Sequence, residues 1–240
     1  PPTFAPASSG THTTRNEAMT RVAAIDCGTN SIRLLVADGR IGEDGRPHLS
    51  DLTRQMRIVR LGQGVDARGY LDPAAIERTV EATVEYQRMI EALGATKTRF
   101  VATSATRDAS NSADFVRQIK AVIGVEPEVV VGTEEASLSF NGAVSGLGES
   151  VKAPMLVVDI GGGSTELVLG ATRVEQAISI DMGAVRVTEK FLADVDPADG
   201  VPAADQERAI AWIDEQLDRA EKSVDLARVR ALVGVAGTVT

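Results

Sequence analysis

One nine-residue pattern occurs twice in this chain, and it limits the fold more than any other feature. Asp26-Cys27-Gly28-Thr29-Asn30-Ser31-Ile32-Arg33-Leu34 and Asp159-Ile160-Gly161-Gly162-Gly163-Ser164-Thr165-Glu166-Leu167 both read D-x-G-x-x-S-x-x-L, the second lying 133 positions after the first. Each copy ends one apolar run (RVAAID, PMLVVDIG) and turns directly into another (IRLLVADG, TELVLG). Each is therefore a strand, a small polar loop and a returning strand. Two copies in register predict two related domains whose loops face each other.

The surrounding pattern completes two α/β units. In the first, a third extended run over 49–59 follows the turn signal at 42–47, giving a meander. Asp72 and Pro73 supply an N-cap and a first-turn proline, and Ile76, Val80, Val84 and Ile90 form a core-facing stripe on a helix that should stop near Gly94. A strand (99–104), a helix opened by Asn111 or Ser112 with Phe115, Ile119 and Val122 inward, a strand (128–131) and a helix from Thr133 follow. The second unit repeats strand, loop, strand, strand (VEQAISID), then helical segments near 184–194 and 203–223 and a last strand, ALVGVA. Alternation of this kind means helices packed on mixed sheets. The final strand runs into a helix start and the chain stops, so C-terminal truncation of the second unit is expected. Residues 1–18, with three of the nine prolines and little to bury, are expected to be a flexible leader, with Met19 as the natural start.

Composition removes several classes of function. The chain has 240 residues, 34 Asp and Glu against 25 Lys and Arg, and a net charge of −9. That balance argues against a general nucleic-acid binder, which needs clustered cations. One cysteine and two histidines leave no disulfide, no zinc knuckle and little for a serine–histidine triad or a histidine relay. No apolar run reaches the length of a membrane span and no signal-peptide pattern occurs, so a cytoplasmic location without membrane association is expected. Cys27 reads as a small hydrophobe closing the first strand.

The loops have the chemistry of anion cradles. Glycines allow turns with φ > 0 and bring backbone N–H groups to a phosphate oxygen, while Thr29, Asn30, Ser31, Ser164 and Thr165 add short donors. Asp26 and Asp159 at the strand ends would repel a bare phosphate, so they imply a divalent cation, Mg2+ or Mn2+, held in part through water. A Rossmann loop is set aside because a strand follows the glycines, and no G-x-x-x-x-G-K-[ST] string occurs. Glu134 and Glu135 start a helix, where any carboxylate is favoured by the dipole. Arg54, Arg57 and Arg60, and separately Arg186 and Lys190, could track a polyanion or simply face solvent; alternation would put Arg57 opposite Arg54 and Arg60.

The strings AIDCGTNSIRLLV, ATSATRDASN, VVGTEEA, VVDIGGGSTEL, SIDMGAVRVTE and GVAGTVT resemble, in this order, the exopolyphosphatase and guanosine-pentaphosphate phosphohydrolase family, part of the superfamily of actin, sugar kinases and heat-shock chaperone ATPases. The resemblance spans residues 20–240. It implies an α/β fold of two ribonuclease-H-like (actin-like) lobes around a central cleft, the first at 19–132 and the second, incomplete, at 133–240. It also implies divalent-metal-dependent hydrolysis of the terminal phosphoanhydride of inorganic polyphosphate, releasing orthophosphate.

By motif, the resemblance makes Glu135 the catalytic base that orients water. Gly28, Thr29, Asn30, Ser31, Arg107, Gly161, Gly162, Gly163 and Ser164 become phosphate-binding, and Asp159, Asp26 and Glu166 metal-side carboxylates. Lobe closure is expected to bring Glu135 against the loop 161–164. Guanosine pentaphosphate is the competing substrate. A non-catalytic nucleotide- or polyphosphate-binding module and a kinase are the other readings, and a homodimer is the oligomeric expectation.

Overall fold

The computed structural model describes residues 19–42, 45, 47–147, 151–196 and 198–239. The leader expected at 1–18 lies outside these residues. The elements in chain order are β1 (Thr20–Cys27), β2 (Ser31–Ile41), β3 (Pro47–Ile58), α1 (Val65–Arg68), α2 (Pro73–Leu93), β4 (Lys97–Ala102), α3 (Ser104–Arg107), α4 (Ser112–Ile123), β5 (Glu128–Val129) and α5 (Gly132–Ser145). β6 (Met155–Ile160), β7 (Thr165–Gly170), β8 (Val174–Ile180), α6 (Ala184–Phe191), α7 (Ala203–Glu221) and β9 (Ala231–Val235) follow.

Two mixed sheets result, and their topologies repeat as the sequence does. The first has the order β3-β2-β1-β4-β5 and the second β8-β7-β6-β9. In each, a three-stranded antiparallel meander is extended by a parallel strand beside its first member. α2 and α4 cover one face of the first sheet, where Ile25, Cys27, Ile32, Leu34, Phe100, Phe115 and Ile119 are buried together. The second sheet is covered on both faces. Leu156, Leu167, Leu169 and Ile180 meet α7 through Ala220, while Val157 and Val168 meet Ala136 and Phe140 of α5. Burying each such side chain contributes about 1.5–3 kcal/mol.

The buried stripe of α2 differs from the one expected. Ile76 and Ile90 are inside, but between them the buried positions are Thr79, Ala82, Thr83 and Tyr86, with Val80 and Val84 on the flank. The threonines tolerate burial because Thr79 Oγ1 and Thr83 Oγ1 each donate to the carbonyl four residues back at 2.8 Å, and Tyr86 Oη donates to Ile32 O at 3.0 Å. In α4 the third inward residue is likewise Ile123, with Val122 only half-buried. The start of α2 is as expected: Asp72 accepts from Ala74 N at 2.9 Å, with Pro73 in the first turn. Asp72→Ala should therefore lower unfolding stability by about 1 kcal/mol in urea titrations; an unchanged midpoint would contradict the cap assignment.

Candidate active site

The two repeated loops are closed by the same bond. Gly28 N donates to Ser31 O and Gly161 N to Ser164 O, each at 3.0 Å. They also touch each other. Thr29 Oγ1 lies 3.0 Å from Ser104 Oγ of α3, and Gly163 is seated against this pair: a Cβ there would fall 2.6 Å from Ser104 Oγ and 2.7 Å from Thr29 Oγ1. At Gly162 it would fall 3.0 Å from Thr29 Cβ.

This corrects the reason given for the glycines. None of Gly28, Gly161, Gly162 or Gly163 has a positive φ; at 162 and 163 glycine is required because the chains approach too closely for a Cβ, whereas at Gly28 a Cβ would meet only Ser31 O at 3.4 Å. The carbonyls of the second loop point to α6, whose Ala184 N, Val185 N and Arg186 N donate to Gly161 O and Gly162 O at 2.9–3.1 Å. Among the described residues, the amides of Thr29, Asn30, Gly162 and Gly163 donate to no other residue. Of these, Thr29 and Gly163 are buried, where unpaired amides are rare in folded proteins, so donors left over at two facing loops suit an anion.

The carboxylates gather beside these loops. Asp159 and Glu166 are direct partners across β6 and β7, so their side chains share the sheet face that α5 covers. Ser179, opposite Glu166 on β8, donates to its Oε1 at 2.7 Å. Glu135 stands in the first turn of α5, and Ser139, one turn on, donates to Asp159 Oδ2 at 2.5 Å. Across the cleft, Arg107 Nη1 from the end of α3 lies 3.5 Å from Glu135 Oε2 and 3.3 Å from Val130 O. Glu134 instead turns outward to Arg99, at 3.0 Å.

Negative charge is crowded at this junction. Burial, then Glu166, pushes the Glu135 carboxyl up to about 8, with Arg107 opposing and Asp26 and Asp159 adding to the rise. Burial raises Glu166 to about 7 against the hydrogen bonds of Ser179 and Ser164, with Asp159 adding to the rise and Arg107 opposing it. Solvent touches the Asp26 side chain, yet the protein surrounding it raises its pKa, an effect that Arg33 opposes and Asp159 reinforces. The two copies of the repeat thus differ at one informative place. Arg33 faces Asp26 across its hairpin, whereas Glu166 faces Asp159.

The structure brings together all the loop residues, Arg107, Glu135, Asp26, Asp159 and Glu166. It corrects one relation: α5 packs on the second sheet, so Glu135 accompanies Asp159 and Glu166, and lobe closure would bring Arg107 and Asp26 to it. Among the described residues no three carboxylate, imidazole or thiol groups converge as a ready-made cation cage. Of the two readings of the arginines, a continuous basic track is not supported. Arg54 pairs with Asp51 and Arg57 with Glu85, and Arg60 sits in the left-handed region at φ 51, which ends strand alternation. Sequence reading missed Ser104, Ser139 and Ser179. Ser139 was signalled by its four-residue spacing from Glu135 and Ser179 by hairpin register; nothing local marks Ser104. A surface depression of about 380 Å3 lined by Gln176 and residues 221–227 contains none of these groups.

The profile of the Ppx/GppA phosphatase family matches residues 40–240. The chain belongs to that family. It is 47% identical over 228 residues to Exopolyphosphatase 2 of Mycobacterium tuberculosis, covering 93% of this chain and 70% of that protein. Among solved structures it resembles an exopolyphosphatase-like protein at 43% identity and a TM-score of 0.85, covering 92% of this chain and 67% of that one. The Aquifex aeolicus family member is similar at 31% identity and a TM-score of 0.69, with 93% and 68% covered. The fold is the actin-like one of this family, with two mixed α/β sheets whose repeated loops meet. No helix among the described residues is long and apolar enough to cross a membrane.

Proposed function

We propose that this Ppx/GppA chain hydrolyses the terminal phosphoanhydride of inorganic polyphosphate, releasing orthophosphate, and that its lobes span residues 19–132 and 133–240. One observation carries the chemistry: Glu135, its proton affinity raised, stands between Arg107 and the Asp159–Glu166 pair where the two anion loops meet. The name of the mycobacterial relative supports the choice of polyphosphate.

In this reading the free amides of Thr29, Asn30, Gly162 and Gly163, with Ser31 and Ser164, hold the terminal phosphoryl oxygens, and Arg107 neutralises part of their charge. The Glu135 carboxylate accepts a proton from the attacking water as its oxygen bonds to phosphorus. The bridging P–O bond breaks and the shortened polyphosphate leaves. The donor set fits a divalent cation: four carboxylates share little counter-charge, and among the described residues only Ser139 donates to Asp159. Asp159, with Asp26 or Glu166 through water, would hold Mg2+ in the manner of an ion that keeps most of its waters. The ion would supply charge neutralisation at the phosphoryl oxygens.

The test is orthophosphate release, with Mg2+, from long polyphosphate, short polyphosphate and guanosine pentaphosphate, with and without ADP as acceptor. Release from polyphosphate at a higher kcat/KM than from guanosine pentaphosphate is expected. Binding without release would favour a regulatory module, transfer to ADP a kinase, and preference for guanosine pentaphosphate the competing hydrolase. The loop contact gives a second check. Gly163→Val forces an extra group into a packed contact at about 1–3 kcal/mol, so calorimetry should show polyphosphate affinity reduced by about tenfold or more. Unchanged affinity would remove this loop from the binding site.

A further inference from the structure

We propose that Arg186 is a positioning residue that latches the two lobes shut while aiming the second anion loop. Its guanidinium makes three contacts at once. Nε donates to Gly163 O at 2.9 Å, Nη2 to Asp108 Oδ2 at 2.9 Å, and Nη1 to Asp66 Oδ1. Gly163 belongs to the second lobe's loop, whereas Asp66 lies on α1 and Asp108 follows α3, both on the first-lobe side. A planar fork with donors on three nitrogens can bridge such acceptors, and a lysine cannot reach all of them. The side chain is only 16% exposed, so these contacts are screened less than ordinary surface pairs.

A second contact runs in parallel. Glu189, one turn further along α6, accepts from Gly64 N at 2.9 Å. Around these contacts the lobes enclose only about 20 Å3, bordered by Thr29, Ser104 and Gly163. That is room for one water and not for a phosphoryl group. A phosphoryl group can enter at this seam only if the lobes part, and the Arg186 contacts to Asp66 and Asp108 must then break, as must the Arg107–Glu135 contact across the cleft. The bond to Gly163 O lies within one lobe and survives, so the loop keeps its carbonyl anchored to α6 and its amides turned away.

The proposal rests on the reading that substrate enters between the lobes, but its test does not depend on turnover. Cys27 is buried, so cysteines introduced at exposed Glu77 on α2 and Glu215 on α7 can carry a donor and acceptor dye pair without background labelling. Single-molecule energy transfer then reports the lobe separation. Asp66→Asn, which loses one pair, should raise the population of the longer-distance state roughly two- to fivefold, as loss of about 0.4–1 kcal/mol per pair implies, and Arg186→Gln, which loses two, roughly four- to thirtyfold. Arg186→Lys, which keeps the charge but cannot span all three acceptors, should fall between wild type and Arg186→Gln. High salt should open the wild type and change Arg186→Gln little. Asp66 is a partly exposed side chain outside the anion loops, so Asp66→Asn carries the test even if Arg186→Gln folds poorly. Distance distributions for Asp66→Asn that superimpose on wild type at low salt would overturn the latch, whatever the enzyme assay shows.

Discussion

Glu135→Gln is expected to lower kcat for orthophosphate release by about 10^2- to 10^4-fold, the usual contribution of a positioned general base, while polyphosphate affinity changes by less than about twofold. The amide keeps the size of the side chain and its place in the first turn of α5, so the loops and Arg107 stay where they are. What it loses is the ability to accept a proton from water. The neighbouring variant Glu134→Gln provides the contrast. Glu134 is paired outward with Arg99, so its replacement should leave kcat within about twofold of wild type, surface pairs being worth little. Steady-state kinetics on both variants, with calorimetric affinities beside them, distinguish a catalytic role from a helix-start role. Equal losses in both variants would mean that the dipole position, and not the chemistry of Glu135, matters.

The metal-free protein should lose stability as the pH rises from about 5 to about 8. Glu135 and Glu166 have ordinary values of 4.5 and are raised to about 8 and about 7 in the folded state. Across that window the folded chain holds protons that the unfolded chain has released, so the slope of unfolding free energy against pH is negative. The contribution is present in full below about pH 4.5 and is lost as the pH passes the folded values. One pKa unit corresponds to about 1.4 kcal/mol, which makes the loss a matter of a few kcal/mol and several degrees in Tm. Glu135→Gln should raise Tm at pH 8 and flatten the slope. Calorimetric scans in EDTA at pH 5.5 and pH 8 check this; a wild-type Tm that rises over that range would show that the carboxylate cluster is not strained.

Much of this arrangement could be read from the chain because the hairpins are local. A strand, a polar loop and a returning strand are set by short-range alternation, and the offset between copies made the two-sheet plan legible. The helical stripe of α2 was misread between its ends because Thr79 and Thr83 count as polar in a pattern, yet their hydroxyls are satisfied within the helix itself. Placement across the cleft was harder. The pattern of α5 announces an apolar face through Ala136 and Phe140 but does not say which sheet that face will meet. Glu135 therefore came out on the wrong side of the closing motion. The loop glycines were identified for a backbone conformation they do not adopt, since the contact between Gly163, Thr29 and Ser104 joins residues far apart in sequence. The Arg186 contacts to Asp66 and Asp108 escaped for the same reason.

The most direct measurement is a crystal of the chain grown or soaked with tungstate, a heavy tetrahedral oxyanion. The account predicts one oxyanion at the junction of the repeats, accepting hydrogen bonds from amides of 28–31 and of 161–164 together, within reach of Arg107. An oxyanion that avoids both loops at concentrations saturating the protein, while binding elsewhere on the surface, would contradict it.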